Sequence, residues 1–264
     1  MHAPSVYRAL VRASLRSQLR YRLSLSFNVL GYFVIFWSEF IAIWILFAHF
    51  GTLAGWEMEE VLVCYGLAHL SYASSQFFTR GFEFLANLAR TGDYDRYLLR
   101  PVDTAVQLSG YEFALHRLGR VIQALIVMVY ALLRMGDRVT PGGLLLLFWA
   151  FLGGSALFCG LFILQGSVGM KTLQNIEAFN ILTNGGPEMA QFPMSIYPRP
   201  LRLLFTFLIP LAGVVYYPSL SFLHKSAGVP LFVGWLTPMG GIVFLVLALL
   251  VFRRVEKSYI STGS

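Results

Sequence analysis

The sequence predicts an all-α membrane protein: six transmembrane helices with both termini on the cytoplasmic side, an N-terminal interfacial helix and a cytoplasmic amphipathic helix. Three observations predict it. Of 264 residues, 57% are apolar and only 12% charged, against roughly 45–50% and about 25% in soluble domains. The apolar residues fall into blocks at 27–50, 61–79, 118–134, 143–165, 203–217 and 231–252, most of them near the twenty residues that cross a ~30 Å hydrocarbon core. The basic residues are partitioned by side. Of the 20 Lys and Arg, only Arg134, Arg138 and Lys225 fall at or between odd spans and the even spans that follow them, leaving 17 before the first span, in or at the edges of the even-numbered loops, or after the last. Positive charge accumulates on the cytoplasmic side, so the net charge of +7 expresses topology rather than a nucleic-acid footprint. With 23 Phe, 13 Tyr and 5 Trp, a disordered chain is excluded. The whole of 1–264 reads as one transmembrane domain.

Residues 1–24 carry Arg8, Arg12, Arg16 and Arg20 at every fourth position, a slowly drifting stripe on a helix. Such a segment suits an interfacial helix on anionic headgroups; a frayed, positively charged tail is the plainer alternative. The apolar stretch behind it exceeds the 7–15 residues of a signal h-region, so it is not read as a cleavable signal.

The first span is aromatic, with Phe33, Phe36, Trp37, Phe40, Trp44 and Phe47, and it carries Glu39 near mid-depth. A carboxylate facing lipid costs at least a few kcal/mol, so Glu39 should face a partner helix or a transport path. In the second span, Ser71, Ser74 and Ser75 permit close helix approach. His69 there is either a packed, hydrogen-bonded histidine or a ligand or proton relay. The fourth span holds Ala150-x-x-x-Gly154 and Ala156-x-x-x-Gly160, spacings compatible with tight helix contact. Residues 166–202 read as an irregular loop, since Pro187, Pro193, Pro198 and Pro200 cannot share one straight helix. Cys64 and Cys159 both lie in apolar blocks and offer neither a disulfide framework nor a zinc cluster.

Motifs for chemistry are incomplete. The nearest approach to a phosphate loop, Gly169-Met170-Lys171-Thr172, has Met where glycine is required and follows an apolar helix rather than a strand. Glu59-Glu60 lacks the arginine of a Glu-Glu-x-x-x-Arg protease, and Asp93, Asp95 and Asp103 are too few for a magnesium cage. A lipid-modifying membrane enzyme and a non-transporting sensor or scaffold therefore stand as alternatives only.

The informative stretch is the cytoplasmic loop at 80–103. Phe84, Leu85 and Leu88 fall at helical spacing over 81–90, Thr91-Gly92 stops the helix, and Asp93, Asp95, Arg96 and Arg100 fill a polar segment that Pro101 terminates. The loop either lies on headgroups or docks a soluble cytoplasmic partner.

The run Gly92-Asp-Tyr-Asp-Arg-Tyr-Leu-Leu-Arg-Pro101 resembles the Gly-x-hydrophobic-Asp-x-x-Leu-Leu-(Arg/Lys)-Pro signature of ABC transporter permeases of the type-2 exporter class. It matches at Gly92, Asp95, Leu98, Leu99, Arg100 and Pro101 and departs at Tyr94, where the family usually has an aliphatic residue. Phe192-Pro193-Met-Ser-Ile-Tyr197-Pro198, Phe207-Leu-Ile-Pro210 and Tyr217-Pro218 resemble a second signature of the same permeases. The resemblance implies a multi-pass subunit of a prokaryotic inner membrane that pairs with a second permease, the same chain or a homologous one. It implies two copies of a separate ABC ATPase, which would hold the ATP and magnesium; this chain would need no cofactor, catalytic residue or metal of its own. Residues Arg80, Glu83, Phe84, Leu88, Arg90, Gly92, Asp93, Asp95, Leu99, Arg100 and Pro101 would form the ATPase-coupling loop, and Glu39 and His69 are candidates for the translocation path. Multidrug or lipid efflux is the implied activity, with membrane lipids around the chain and no nucleic acid.

Overall fold

The computed structural model describes residues 3–20, 22–113, 115–174, 177–225 and 228–261. Residues 1, 2 and 21 of the expected interfacial segment, 175–176 of the expected irregular loop and 262–264 of the expected domain lie outside them. Among the described residues the chain is helical, with an isolated bridge between Leu53 and Trp56 and no strand. The helices are α1 (Ala3–Arg20), α2 (Arg22–Phe50), α3 (Met58–Glu83), α4 (Leu85–Arg90), α5 (Asp95–Leu98), α6 (Thr104–Ser109) and α7 (Leu118–Met135). They are followed by α8 (Pro141–Thr172), α9 (Glu177–Thr183), α10 (Gly185–Ala190), α11 (Arg199–Leu203), α12 (Tyr217–Phe222), α13 (Val233–Leu236) and α14 (Met239–Lys257).

Four stretches are long and apolar enough to cross a membrane: Leu23–Phe50, Leu118–Arg138, Pro141–Thr172 and Val233–Lys257. Arg199–Leu208 and Ala212–Phe222 qualify only together, bent by 81°, which makes the number four, or five if the bent pair is one span. Six spans are thus more than length and apolarity alone support. The expected second span lies in α3, whose 26 residues extend about 39 Å at 1.5 Å per residue. Its Glu59, Glu60, His69, Gln76, Arg80 and Glu83 lower its apolarity, and packing shields it instead. Val61, Leu62, Val63, Cys64 and Tyr65 have no exposed surface.

The expected fifth span at 203–217 is broken for a backbone reason. Pro210 has no N–H to donate, and on either side the helix widens into π-type turns at Leu204–Leu208 and Ala212–Tyr216. Ile209 N donates to Leu204 O five residues back, at 3.0 Å, the spacing of a π-bulge. The expected irregular loop from residue 166 also differs. Helix α8 continues to Thr172, seated against α4, and ends where Leu173 adopts φ +56°. Beyond that turn, α9 and α10 make the segment from Glu177 to Ala190 largely helical.

The core is built on α8, which packs against α14 and α3, while α3 packs against α7. At Gly160 a Cβ would stand 2.7 Å from Phe244 and 3.2 Å from the Leu245 backbone, so a hydrogen there lets α8 and α14 meet closely. Helix α8 begins with Thr140 accepting a hydrogen bond from Gly143 N at 3.1 Å and Pro141 in its first turn, a capped start. Helix α1 turns Arg8, Arg12, Arg16 and Arg20 outward and directs Tyr7, Leu10, Ser14 and Gln18 inward, packing on α6. Ser14 Oγ accepts from Phe113 N at 2.9 Å, and Gln18 Oε1 accepts from Leu115 N at 3.1 Å. That inner stripe serves the chain's own loop rather than headgroups.

Candidate functional site

Two features of α3 carry the sequence-predicted residues: an elbow at its end and a polar ring at its middle. The elbow begins at Phe84, which breaks the helix with φ −90° and ψ −4°. Helix α4 comes next, Gly92 turns the chain at φ +75°, a conformation an L side chain resists, and α5 leads to Pro101. Asp103 then caps α6, accepting from Ala105 N at 2.9 Å.

The apolar face of this elbow is occupied by the chain itself. Leu85, Leu88, Ala89 and Tyr94 are buried in a cluster with Ile163 and Met170 of α8 and Ala248 and Phe252 of α14. Leu88 therefore faces this chain's core. Phe84 is half-buried, 5.8 Å from the Tyr111 ring, with the Arg80 guanidinium 4.6 Å from its centroid. Amphipathic spacing identifies a buried face but not what buries it, and here the nearest cover is α8.

Each remaining loop residue has a definite place. Arg80 donates to Glu83, an ion pair between neighbouring turns. Arg90 donates to Asn87 Oδ1 at 2.9 Å. Asp93 accepts from Thr91 Oγ1 at 2.9 Å and lies 3.5 Å from Arg96. Asp95 Oδ2 accepts from Ser261 Oγ at 2.5 Å, so both aspartates serve the elbow's own geometry. Arg100 lies over Tyr97 at 5.6 Å. The outer corner is left open: Leu99 is 85% exposed, Leu98 is 46% exposed, and Arg96, Arg100 and Pro101 surround them on the surface.

The elbow is tied to the end of α14. Tyr94 OH donates to Glu256 Oε1 at 2.6 Å, and Thr104 donates to the same oxygen. Burial first, then the hydrogen bond and charge of Glu256, pushes the Tyr94 phenol above its usual range. The Arg253 guanidinium lies 3.4 Å from Asp103. The phenol at position 94 thus has a specific partner that an aliphatic residue would lack. Glu256 sits among Arg253, Arg254 and Lys257, and nothing in that basic run signals its role.

The ring joins three helices, with a fourth at its edge. Arg120 of α7 donates to His69 Nδ1 at 2.7 Å and to Glu188 Oε1 of α10 at 3.0 Å. An arginine has no acceptor, so His69 Nδ1 accepts and its Nε2–H donates to Gln191 Oε1 at 3.0 Å. Gln191 Nε2 closes the circle by donating to Glu188 Oε2 at 3.1 Å. Tyr65 stacks beside His69 at 4.1 Å and accepts from Gln123 at 2.8 Å, and the Arg120 guanidinium lies 4.6 Å from the Tyr72 ring. Glu39 of α2 reaches the edge, a carboxylate oxygen of Glu39, a ring nitrogen of His69 and a carboxylate oxygen of Glu188 lying within 4.8 Å of one another.

That last triplet has metal-ligand chemistry, but the Arg120 guanidinium already bonds two of the three groups. A divalent ion would meet a fixed positive charge beside its imidazole ligand. Lone polar residues in apolar spans made Glu39 and His69 legible. Arg120 reads as a loop-edge charge and Glu188 as part of a proline-rich run; the i, i+3 pairs Arg120–Gln123 and Glu188–Gln191 were the available signal.

Several helices long and apolar enough to cross a membrane, packed around a shielded polar ring, mark a multi-pass membrane protein. A family model described as ABC-2 family transporter protein matches residues 33–263, and the chain belongs to that family. Its role is that of a transport permease, a membrane component of a family that normally works with an ATPase subunit. Comparison with curated proteins and with solved structures yielded no match.

Proposed function

We propose that this chain is the membrane subunit of an ATP-driven exporter of a prokaryotic inner membrane, coupled to its ATPase through the elbow at 80–101. Two ATPase copies dock on two permeases, identical or homologous, and supply the ATP hydrolysis and magnesium. Six spans run N-in and C-in, with α3 as the shielded second span and the bent pair of Arg199–Leu208 and Ala212–Phe222 as the fifth. Glu39 and His69 border the substrate path at the ring, and the cargo is an amphipathic drug or lipid.

The observation that supports this most is the asymmetry of the elbow. Its inner face is tied to α8 and α14, so a push on the corner reaches two long helices, while Leu99 is 85% exposed beside Leu98 and Arg100. Burying one such leucine is worth about 1.5–3 kcal/mol, whereas exposed charge pairs add about 0–1 kcal/mol each. Leu99 therefore outweighs Arg100 in docking, and it takes the place that Phe84 and Leu88 hold in the sequence reading.

A photo-crosslinking residue at Leu99 should capture the co-expressed ATPase, while one at Leu133, exposed at the far end of α7, should not. Equal capture at both positions, or none at Leu99, would reject the docking. The topology has its own check. Cysteine at Thr52 should react with an impermeant thiol reagent from outside, and cysteine at Arg96 should not.

A further inference from the structure

Beside the elbow, α3, α8 and the α9–α10 segment border a half-open cavity of about 260 Å³. Five carboxamides line it: Gln76, Asn87, Gln165, Asn180 and Asn184. Aromatic rings of Phe84 and Phe162 complete its wall. From this lining we infer that the cavity is a binding site for a small, neutral, hydroxyl-rich molecule such as a single sugar ring or a polyol. This guest is distinct from the amphipathic cargo of the transport reading, and its binding does not rest on that reading.

The hydrogen bonding of the lining is incomplete in one direction. Gln76 Oε1, Glu83 Oε1 and Gln165 Oε1 are buried acceptors that make no hydrogen bond within the chain. Gln76 is 1% exposed, and its amide N–H donates to Tyr72 OH at 3.0 Å, so its oxygen is held in place. Gln165 is fixed in the same way by donating to Asn180 Oδ1 at 2.9 Å. Three positioned acceptors ask for a guest rich in donors, and Arg80 Nε, which makes no hydrogen bond and stands 3.6 Å from Glu112 Oε2, can take an acceptor on the same guest. A hydroxyl group is both.

Charge selects further. Arg80 and Arg117 line the cavity with Glu83, and Glu112 lies 3.6 Å from Arg80. With Glu112 set behind Arg80 outside the lining, two positive and two negative groups balance around the cavity, so neither an organic cation nor an anion is favoured. Size selects as well, since drug-sized ligands occupy pockets of roughly 300–1,000 Å³. Water is the competing occupant, at about 30 Å³ of liquid volume each, and the test separates it from a guest.

The full chain, purified in a detergent without a sugar headgroup, is placed in phosphatidylethanolamine and phosphatidylglycerol nanodiscs. Equilibrium dialysis then tracks radiolabelled glucose, myo-inositol and glycerol, with choline and inorganic phosphate as competitors. At least one hydroxylated probe should bind saturably, and neither competitor should displace it. Gln165→Leu should weaken that binding about tenfold or more, because it removes an acceptor while keeping the volume. Should Gln165→Leu misfold, Gln165→Cys gives a second reading: a small thiosulfonate should label it more slowly when the probe is bound. Failure of all three probes to saturate, displacement by choline or phosphate, or labelling of Gln165→Cys indifferent to probe would overturn the inference and leave a hydrated cavity. No ATPase is present in these measurements, so they can fail while coupling at Leu99 stands.

Discussion

Helix α3 leads into two regions, both hydrogen-bonded within the chain, that differ in what they leave uncovered. At its middle, Arg120, His69, Gln191 and Glu188 close a ring of hydrogen bonds inside the chain. At its end, the elbow packs its inner face on α8 and α14 and leaves Leu98 and Leu99 uncovered. A shielded polar group without a partner costs several kcal/mol in a membrane, which explains the closed ring. An uncovered leucine on a tethered corner has no such internal use. The contrast separates what holds the helices together from what is left for a partner.

The largest expected effect tests the ring. Arg120→Met should strand Glu188 and the His69 acceptor. Breaking a buried charge pair costs about 3–5 kcal/mol, and because the Glu188 side chain is 39% exposed the lower end applies. The melting temperature in detergent should fall by roughly 5–10 °C. An unchanged melting temperature would show that the ring does not hold the bundle.

Next comes Gly160→Val, whose side chain would meet Phe244 and the Leu245 backbone. Overpacking of this kind costs about 1–3 kcal/mol, read as loss of monodisperse protein on size exclusion. Gly142→Ala, with open space around it, should leave the profile unchanged.

The smallest effect at neutral pH belongs to the tether. Tyr94's phenol is raised by burial and by Glu256, so its contribution is complete below the ordinary phenol value of about 10. It fades as pH climbs above that value, because the unfolded chain loses the proton first. Tyr94→Phe should cost about 0.5–1.5 kcal/mol at pH 7 and flatten the alkaline decline. A thermal-melt series from pH 7 to 11 on both proteins reads the difference, and parallel curves would remove Tyr94 as the tether.

Much of this was legible from residues alone. The apolar blocks in α2, α7, α8 and α14 announced themselves because lipid-length hydrophobicity needs no partner to be recognised. The break at Pro210 and the continuation of α8 to Thr172 depend on packing that no local pattern records. So does the inner stripe of α1, where Ser14 and Gln18 bond the Phe113 and Leu115 backbone. In the ring, Glu39 and His69 stood out as polar residues in apolar surroundings, whereas Arg120 and Glu188 looked like ordinary loop charges. In the elbow, the spacing of Phe84, Leu85 and Leu88 revealed an apolar face, but only the position of α8 shows that the face is already covered.

The most direct test of ATPase coupling is co-purification of the ATPase with Leu99→Asp, beside Leu88→Ala as the inward-facing control. Leu99→Asp should insert and melt like the unaltered chain and lose ATPase association roughly tenfold or more, the worth of one buried leucine. Leu88→Ala, a cavity in the chain's own core, should instead lower the melting temperature and keep the ATPase among the molecules that remain folded. Full ATPase association with Leu99→Asp would contradict coupling through the outer corner of the elbow.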